Sequence, residues 1–205
     1  VKNPTFPQDE IDLNKKHMQT ALVQRDENVS SVTSYLLRQH LYKTHPYAHD
    51  GLGTAESLAL LSRANIGVYY KYFTKPNNMV LAIFGDIDPK QMLASVEKKF
   101  GGLKKEKIDF KTYPVPEIAE PEEVPNVLNK EQAMVMVGFP GVTIDNEERY
   151  GLEILEAILG SSFNGRLFIG IREKLGKAYT MGGGSLPGLD PGYIFFYVLT
   201  EPTSV

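Results

Sequence analysis

The chain reads as an α+β protein in which helices are layered on mixed or antiparallel sheets. Three observations carry that reading. Apolar residues recur at helical spacing through most of the first hundred positions. Apolar runs of strand length cluster late, at Ala133–Phe139, Lys177–Ser185 and Tyr193–Leu199. Helices and strands do not alternate regularly, as a parallel α/β sheet would require.

Residues 5–24 begin FPQDEIDLNKK, where Asp9 and Glu10 crowd a first helical turn and complement its dipole. A second helix is expected from about Ser30 to Tyr42, burying Val32, Tyr35 and Leu36. HPYAHDGLGT, residues 45–54, is a loop set by Pro46, Gly51 and Gly53. Thr54 can cap a short helix through Leu61, and Ser62 a further one whose Ile66, Tyr69, Tyr70 and Phe73 share a face. Asn78–Asp86 is a continuous apolar run, expected as a strand covered on both faces. Asp88 then Pro89 opens a helix in the favoured order, with Met92, Leu93, Val96 and Phe100 as its stripe and Gly101–Gly102 as its end.

Residues 113–130 change character: Pro114, Pro116, Pro121 and Pro125 alternate with acidic side chains, as in a stiff solvated linker. The expected organisation is therefore 1–112, the 113–130 linker, and 131–205. After the linker, Asp145 and Glu148 stand at capping-box spacing before a helix with Leu152, Leu155, Ile158 and Leu159 inward, closed by Gly160. Asn164–Tyr179 predicts an amphipathic helix burying Leu167, Phe168, Ile171 and Leu175, stopped at Gly176 and handed to a strand. Tyr193–Leu199 lacks polar alternation, so it is expected at the sheet centre or packed on both sides.

Composition excludes several functions. A net charge of −3 gives no case for nucleic acid or an anionic membrane surface. The absence of Cys removes disulfides, a thiol nucleophile and Cys-ligated metal, without indicating a compartment. No apolar run reaches membrane-spanning length. Starting at Val1 and stopping just after a strand, the chain reads as a segment excised from something longer.

The residues alone assemble no complete catalytic set. His45 and His49 have i, i+4 spacing, but Pro46, Tyr47 and Ala48 lie between them, with no carboxylate, and Pro46 opposes a regular helix. His45 is expected to bond backbone rather than metal. GGGSLPG has no Lys at phosphate-loop spacing, and Gly182–Gly184 are expected to admit another chain close to the strand backbone. Read alone, Arg172 is a solvated or salt-bridged flank residue, and Tyr179 packs its ring and wets its hydroxyl.

Three blocks in order carry a resemblance: HPYAHDGLGT, YFTKPNNMVLAIFGDID with its helix and FGGL, and GRLFIGIREKLGKAY. With a Pro-rich linker between the second and third, the chain resembles the insulinase/pitrilysin family of zinc metallopeptidases over nearly its whole length. The resemblance implies repeated α+β domains packed as two halves around a chamber. Residues 1–112 then correspond to the later part of one repeat domain and 131–205 to the earlier part of the next. The family's zinc motif, His-x-x-Glu-His, is nowhere in the chain, and its downstream Glu ligand would fall near Ala21. Either the segment comes from the zinc-free half, the preferred reading, or the motif lies upstream of Val1.

The resemblance further implies that Arg172, in IREK, and Tyr179, in KAY, reach across the chamber to peptide substrate, while a zinc-bearing partner half supplies the metal. No metal ligand and no catalytic residue are assigned to the segment itself, which is expected to be inactive in isolation. Its unpaired strand edges are expected to favour self-association. The alternative is a catalytically silent structural or assembly module of the same family.

Overall fold

The structure, a computed structural model, describes every residue except Val1, Val115, Pro116, Ala119, Ser161 and Ser162. Val115, Pro116 and Ala119 of the expected linker therefore lie outside the described residues. The fold is α+β: six α-helices and a small antiparallel sheet among the described residues. The chain packs as two compact units, Val1–His17 with Glu56–Lys111, and Met18–Ala55 with Thr112–Val205. This division differs from the chain order of the sequence, because residues 18–55 pack with the segment that follows residue 111.

In the first unit the helix starts follow from side chains that satisfy otherwise orphaned amides. Ser62 and Asn65 form a reciprocal capping box at the start of α4 (Arg63–Phe73). The Asp88 carboxylate accepts from the Gln91 amide at 3.0 Å to open α5 (Pro89–Phe100), whose Pro89 needs no donor there. α3 (Ala55–Leu60) is a short helix whose Leu58 is buried. The expected stripe of α5 is half-buried at Met92, Val96 and Phe100, while Leu93 is exposed. On α4, Tyr69 is likewise exposed, although its ring still stacks on Phe73 at 4.4 Å.

The run expected as a doubly covered strand is not one. Met79–Phe84 belongs to no strand, with Val80 98% and Phe84 93% exposed. Composition sets a segment's demand for burial, but a strand also needs a ladder partner, and the described residues of this unit hold no other strand.

In the second unit, α1 (Gln8–Glu27) contributes its later half and α2 (Val29–Tyr42) begins at Asn28, whose side chain accepts from the Ser31 amide at 2.9 Å. The sheet has strand order β1 (Ala133–Pro140), β3 (Tyr193–Thr200), β2 (Ala178–Leu186), antiparallel throughout. β3 is central, as its unbroken apolar run predicts. Tyr193, Phe195 and Tyr197 alternate onto one face and their rings follow one another at 5.6 and 6.5 Å. α2 crosses that face: Gly138, opposite Phe195, would drive a Cβ to 2.7 Å from Leu37.

α6 (Arg149–Leu159) starts later than the expected capping box allows. Asp145 is taken by the Thr143 hydroxyl at 2.6 Å, and Glu148 is the cap residue without a side-chain bond. The Asn146 side chain accepts the Glu148 amide instead, so a turn replaces the first helical turn. Leu155 and Ile158 are exposed on α6 rather than inward. Its end, Gly160, lies so close to β2 that a Cβ would come within 2.8 Å of the Gly183 nitrogen. The glycines of β2 thus admit close neighbours from this same chain: the Tyr197, Phe196 and Phe195 rings and the end of α6.

Candidate functional site

The Asn164–Tyr179 stretch departs from the expected α-helix where its polar residues sit. Phe168–Lys174 is a π-helix, so each turn carries one residue more than an α-helical turn. That extra residue breaks the heptad-like face, and Leu175, expected in the core, is 65% exposed. Gly176 fulfils its expected role: at φ +62° it turns the chain in the left-handed region, and its amide donates to the Arg172 carbonyl at 3.1 Å.

β2 follows at once and is itself irregular. Ala178 pairs with Thr200 and Thr180 with Leu199, so two residues of β2 advance against one of β3. Tyr179 is the extra residue of this β-bulge. A bulge releases a side chain from strict alternation and re-aims it; Tyr179 accordingly stands 78% exposed. The Thr200 hydroxyl donates to the Lys177 carbonyl and ties the strand entry down.

These two irregularities converge. The Arg172 guanidinium lies 4.4 Å from the centre of the Tyr179 ring and 4.8 Å from that of Phe168. Arg172 and Tyr179, singled out together from the sequence, are therefore in contact. Phe168 was read only as core; its i, i+4 spacing to Arg172 was the available signal for a second ring beneath the cation. Contacts with ring faces use none of the N–H groups of a guanidinium as hydrogen-bond donors and leave them for other partners. Among the described residues neither Arg172 nor the Tyr179 hydroxyl has a hydrogen-bond partner. The arrangement can therefore donate several hydrogen bonds to carbonyl or carboxylate oxygens at an exposed rim.

Beyond Gly182, β2 continues beside β3 with its other edge unpaired among the described residues. That edge begins at the bulge carrying Tyr179, so the polar rim and a free row of backbone donors and acceptors are continuous.

The histidine pair is organised for structure. His45 is 1% exposed; its Nδ1 accepts the Tyr47 amide at 3.1 Å and its Nε2 faces Asp190 at 3.2 Å. The first bond places the ring proton on Nε2, which donates it to the carboxylate. Both nitrogens are thereby occupied, His49 is exposed, and among the described residues no three His, Asp or Glu side chains gather as a metal-binding set. A zinc ion does not fit this donor arrangement.

Comparison with known proteins follows the same lines. The model of the peptidase M16 inactive domain matches residues 61–205. A Rickettsia bellii protein named "Uncharacterized zinc protease" is 27% identical over 202 residues, covering 98% of this chain and 48% of the relative. A Helicobacter pylori protein named "Non-peptidase homolog YmxG" is 26% identical over 182 residues, covering 88% of this chain and 42% of the relative. The crystal structure of a peptidase M16 inactive domain from Pseudomonas fluorescens superposes with a TM-score of 0.79 at 27% identity, covering 97% of this chain and 48% of that one. The chain thus spans about half the length of the curated relatives it matches.

Proposed function

Because the chain belongs to the peptidase M16 family and matches its inactive domain, we propose that it holds an extended peptide for hydrolysis carried out by another half of the same protein or by a partner subunit. On this reading the zinc of the relatives' names belongs to that other half. Residues 1–112 form the later part of one repeat domain, 113–130 the linker, and 131–205 the earlier part of the next.

The observation that carries the proposal is the meeting of Arg172 and Tyr179, one on a π-helix and the other on a β-bulge. Backbone irregularities of both kinds are frequent at functional sites, and here two of them aim their side chains at one rim. Peptide hydrolysis develops negative charge on the scissile carbonyl oxygen, and an unengaged Tyr179 hydroxyl is a suitable donor to it. The fork of Arg172 suits neighbouring substrate carbonyls. The unpaired edge of β2 supports strand addition by an extended peptide.

The test belongs in the full-length protein or assembly. Tyr179→Phe keeps the ring under Arg172, so its melting temperature should match that of the unaltered protein, while kcat/KM for peptide falls about tenfold or more. Arg172→Ala should raise KM chiefly. Unchanged turnover in both variants would sink the substrate role.

A second reading, a catalytically silent structural module, is favoured by the name of the Helicobacter relative. The sequence upstream of Val1 and that of the neighbouring reading frame separate the two. A His-x-x-Glu-His in either place supports the peptidase, and its absence from both supports the silent module.

A further inference from the structure

A pocket lies in the second unit, away from the Arg172 rim, between loop 45–49 and the β2–β3 connection. Buried polar groups lock these two loops together. Besides the bond between His45 and Asp190, the Tyr42 hydroxyl donates to the Pro191 carbonyl at 3.1 Å, and the Asp190 amide donates to the Tyr47 oxygen at 3.2 Å. Burial pushes the Tyr42 phenol well above its usual range, with Tyr193 and Tyr47 adding to the effect, so it stays a neutral donor. The Tyr42 ring meets Tyr47 and Tyr193 edge-on at 5.3 and 6.2 Å. The two loops also approach closely: a Cβ at Gly188 would come within 2.6 Å of the Tyr47 oxygen.

Between them is an open pocket of about 320 Å³, walled by Tyr42, Tyr47, Tyr193 and Pro46, with Arg38 and His49 as its polar groups. Arg38 is half-buried, and among the described residues its guanidinium has no hydrogen-bond or ion-pair partner. Its field helps to hold the Asp50 carboxyl low, but the bonds of that carboxylate go to Arg25 and the Leu52 amide. A half-buried fork of five unused donors beside the partly exposed Tyr47 and Tyr193 rings is suited to a planar oxyanion on an apolar body. The lining is mostly apolar and holds a single Arg, which matches a singly charged carboxylate better than a strongly hydrated phosphate.

We propose that this pocket binds a free carboxylate carried on a short aromatic or branched apolar group. Arg38 takes the carboxylate, and Tyr47 and Tyr193 take the body over the fully buried Tyr42. The C-terminal residue of a peptide and a small free acid offer this same chemistry. The proposal does not depend on Arg172 or Tyr179.

The test is calorimetric titration of the 205-residue chain with N-acetyl-phenylalanine, its amide, and a short Phe-terminated peptide with a free or amidated end. Both acids should bind at least about tenfold more tightly than their amides. Arg38→Met, which keeps the aliphatic stem, should abolish that preference. A peptide acid tighter than the free acid identifies a peptide terminus as the occupant; equal affinities identify a site for a small acid. Equal binding of acid and amide, or no binding at millimolar ligand, overturns the proposal. If Arg38→Met melts early, NMR of the unaltered chain decides: the Arg38 side-chain N–H resonance must shift with the acids and not with the amides.

Discussion

Arg172 is held by two rings rather than by a carboxylate, and the contrast with Asp50 shows what each arrangement does for the fold. Asp50 pairs with Arg25 at 2.9 Å and accepts the Leu52 amide at 2.9 Å. Burial alone would raise its carboxyl, but the Leu52 amide, Arg25 and Arg38 outweigh burial and hold it below the ordinary value. An unfolded Asp titrates near about 3.9. The stabilisation from Asp50 is therefore complete above that value and is lost as pH falls through the lower folded value. In urea titrations at a series of pH values, Asp50→Asn should lower the midpoint at neutral pH and flatten its acid limb; parallel curves for the two proteins would contradict this. The ring contacts of Arg172 contribute about 0.5–1 kcal/mol. At this scale the sequence was legible only where a motif stood. Arg172 and Tyr179 came from a resemblance, and nothing in periodicity marked Tyr179 as the extra residue of a bulge. Arg38 carried no signal, because its lack of a partner is a fact of three dimensions.

Elements were legible where their ends are decided locally. Ser62 and Asp88 each cap the helix that follows, because an N-cap bond spans only three residues and needs nothing from elsewhere. The same rule misled at Asp145, where Thr143 and Asn146 offered competing local bonds and a turn formed instead. The π-helix at 168–174 was illegible for the opposite reason. Its extra residue is accommodated by Arg172 stacking and by the immediate turn into β2, both outside a helical window. α6 provides a test of what packing adds to propensity, since it carries two glycines with opposite surroundings. Gly151 has open space where a Cβ would go, so Gly151→Ala should stabilise by about 0.5–1 kcal/mol through helix propensity. Gly160 abuts the backbone of β2, so Gly160→Ala should destabilise by about 1–3 kcal/mol through overpacking. Chemical denaturation of the two variants checks the signs. A Gly160→Ala protein as stable as the parent would mean that α6 does not press on the sheet as described.

For the whole molecule, the α+β class followed from the clustering of apolar runs, but where each run finds its partners did not. Asn78–Asp86 shows the reason most sharply. Its sequence demands burial on both sides, yet Val80, Leu81 and Phe84 are exposed, because hydrophobicity states a demand that only another strand or surface can meet. The sheet of the second unit has the complementary property: β3 is paired on both sides, while β1 and β2 each keep one edge unpaired among the described residues. Exposed apolar runs and free strand edges are the two features that ordinarily drive chains together. The chain should therefore self-associate, with a sedimentation coefficient that rises with concentration. Val80→Lys and Phe84→Lys place charges in the exposed run without touching a buried contact, and together they should shift sedimentation toward the monomer. A clean monomer for the unaltered chain at high concentration would rule association out. If association persists in the lysine variants, it resides in the sheet edges, and a charge on the outer edge of β2 becomes the informative substitution.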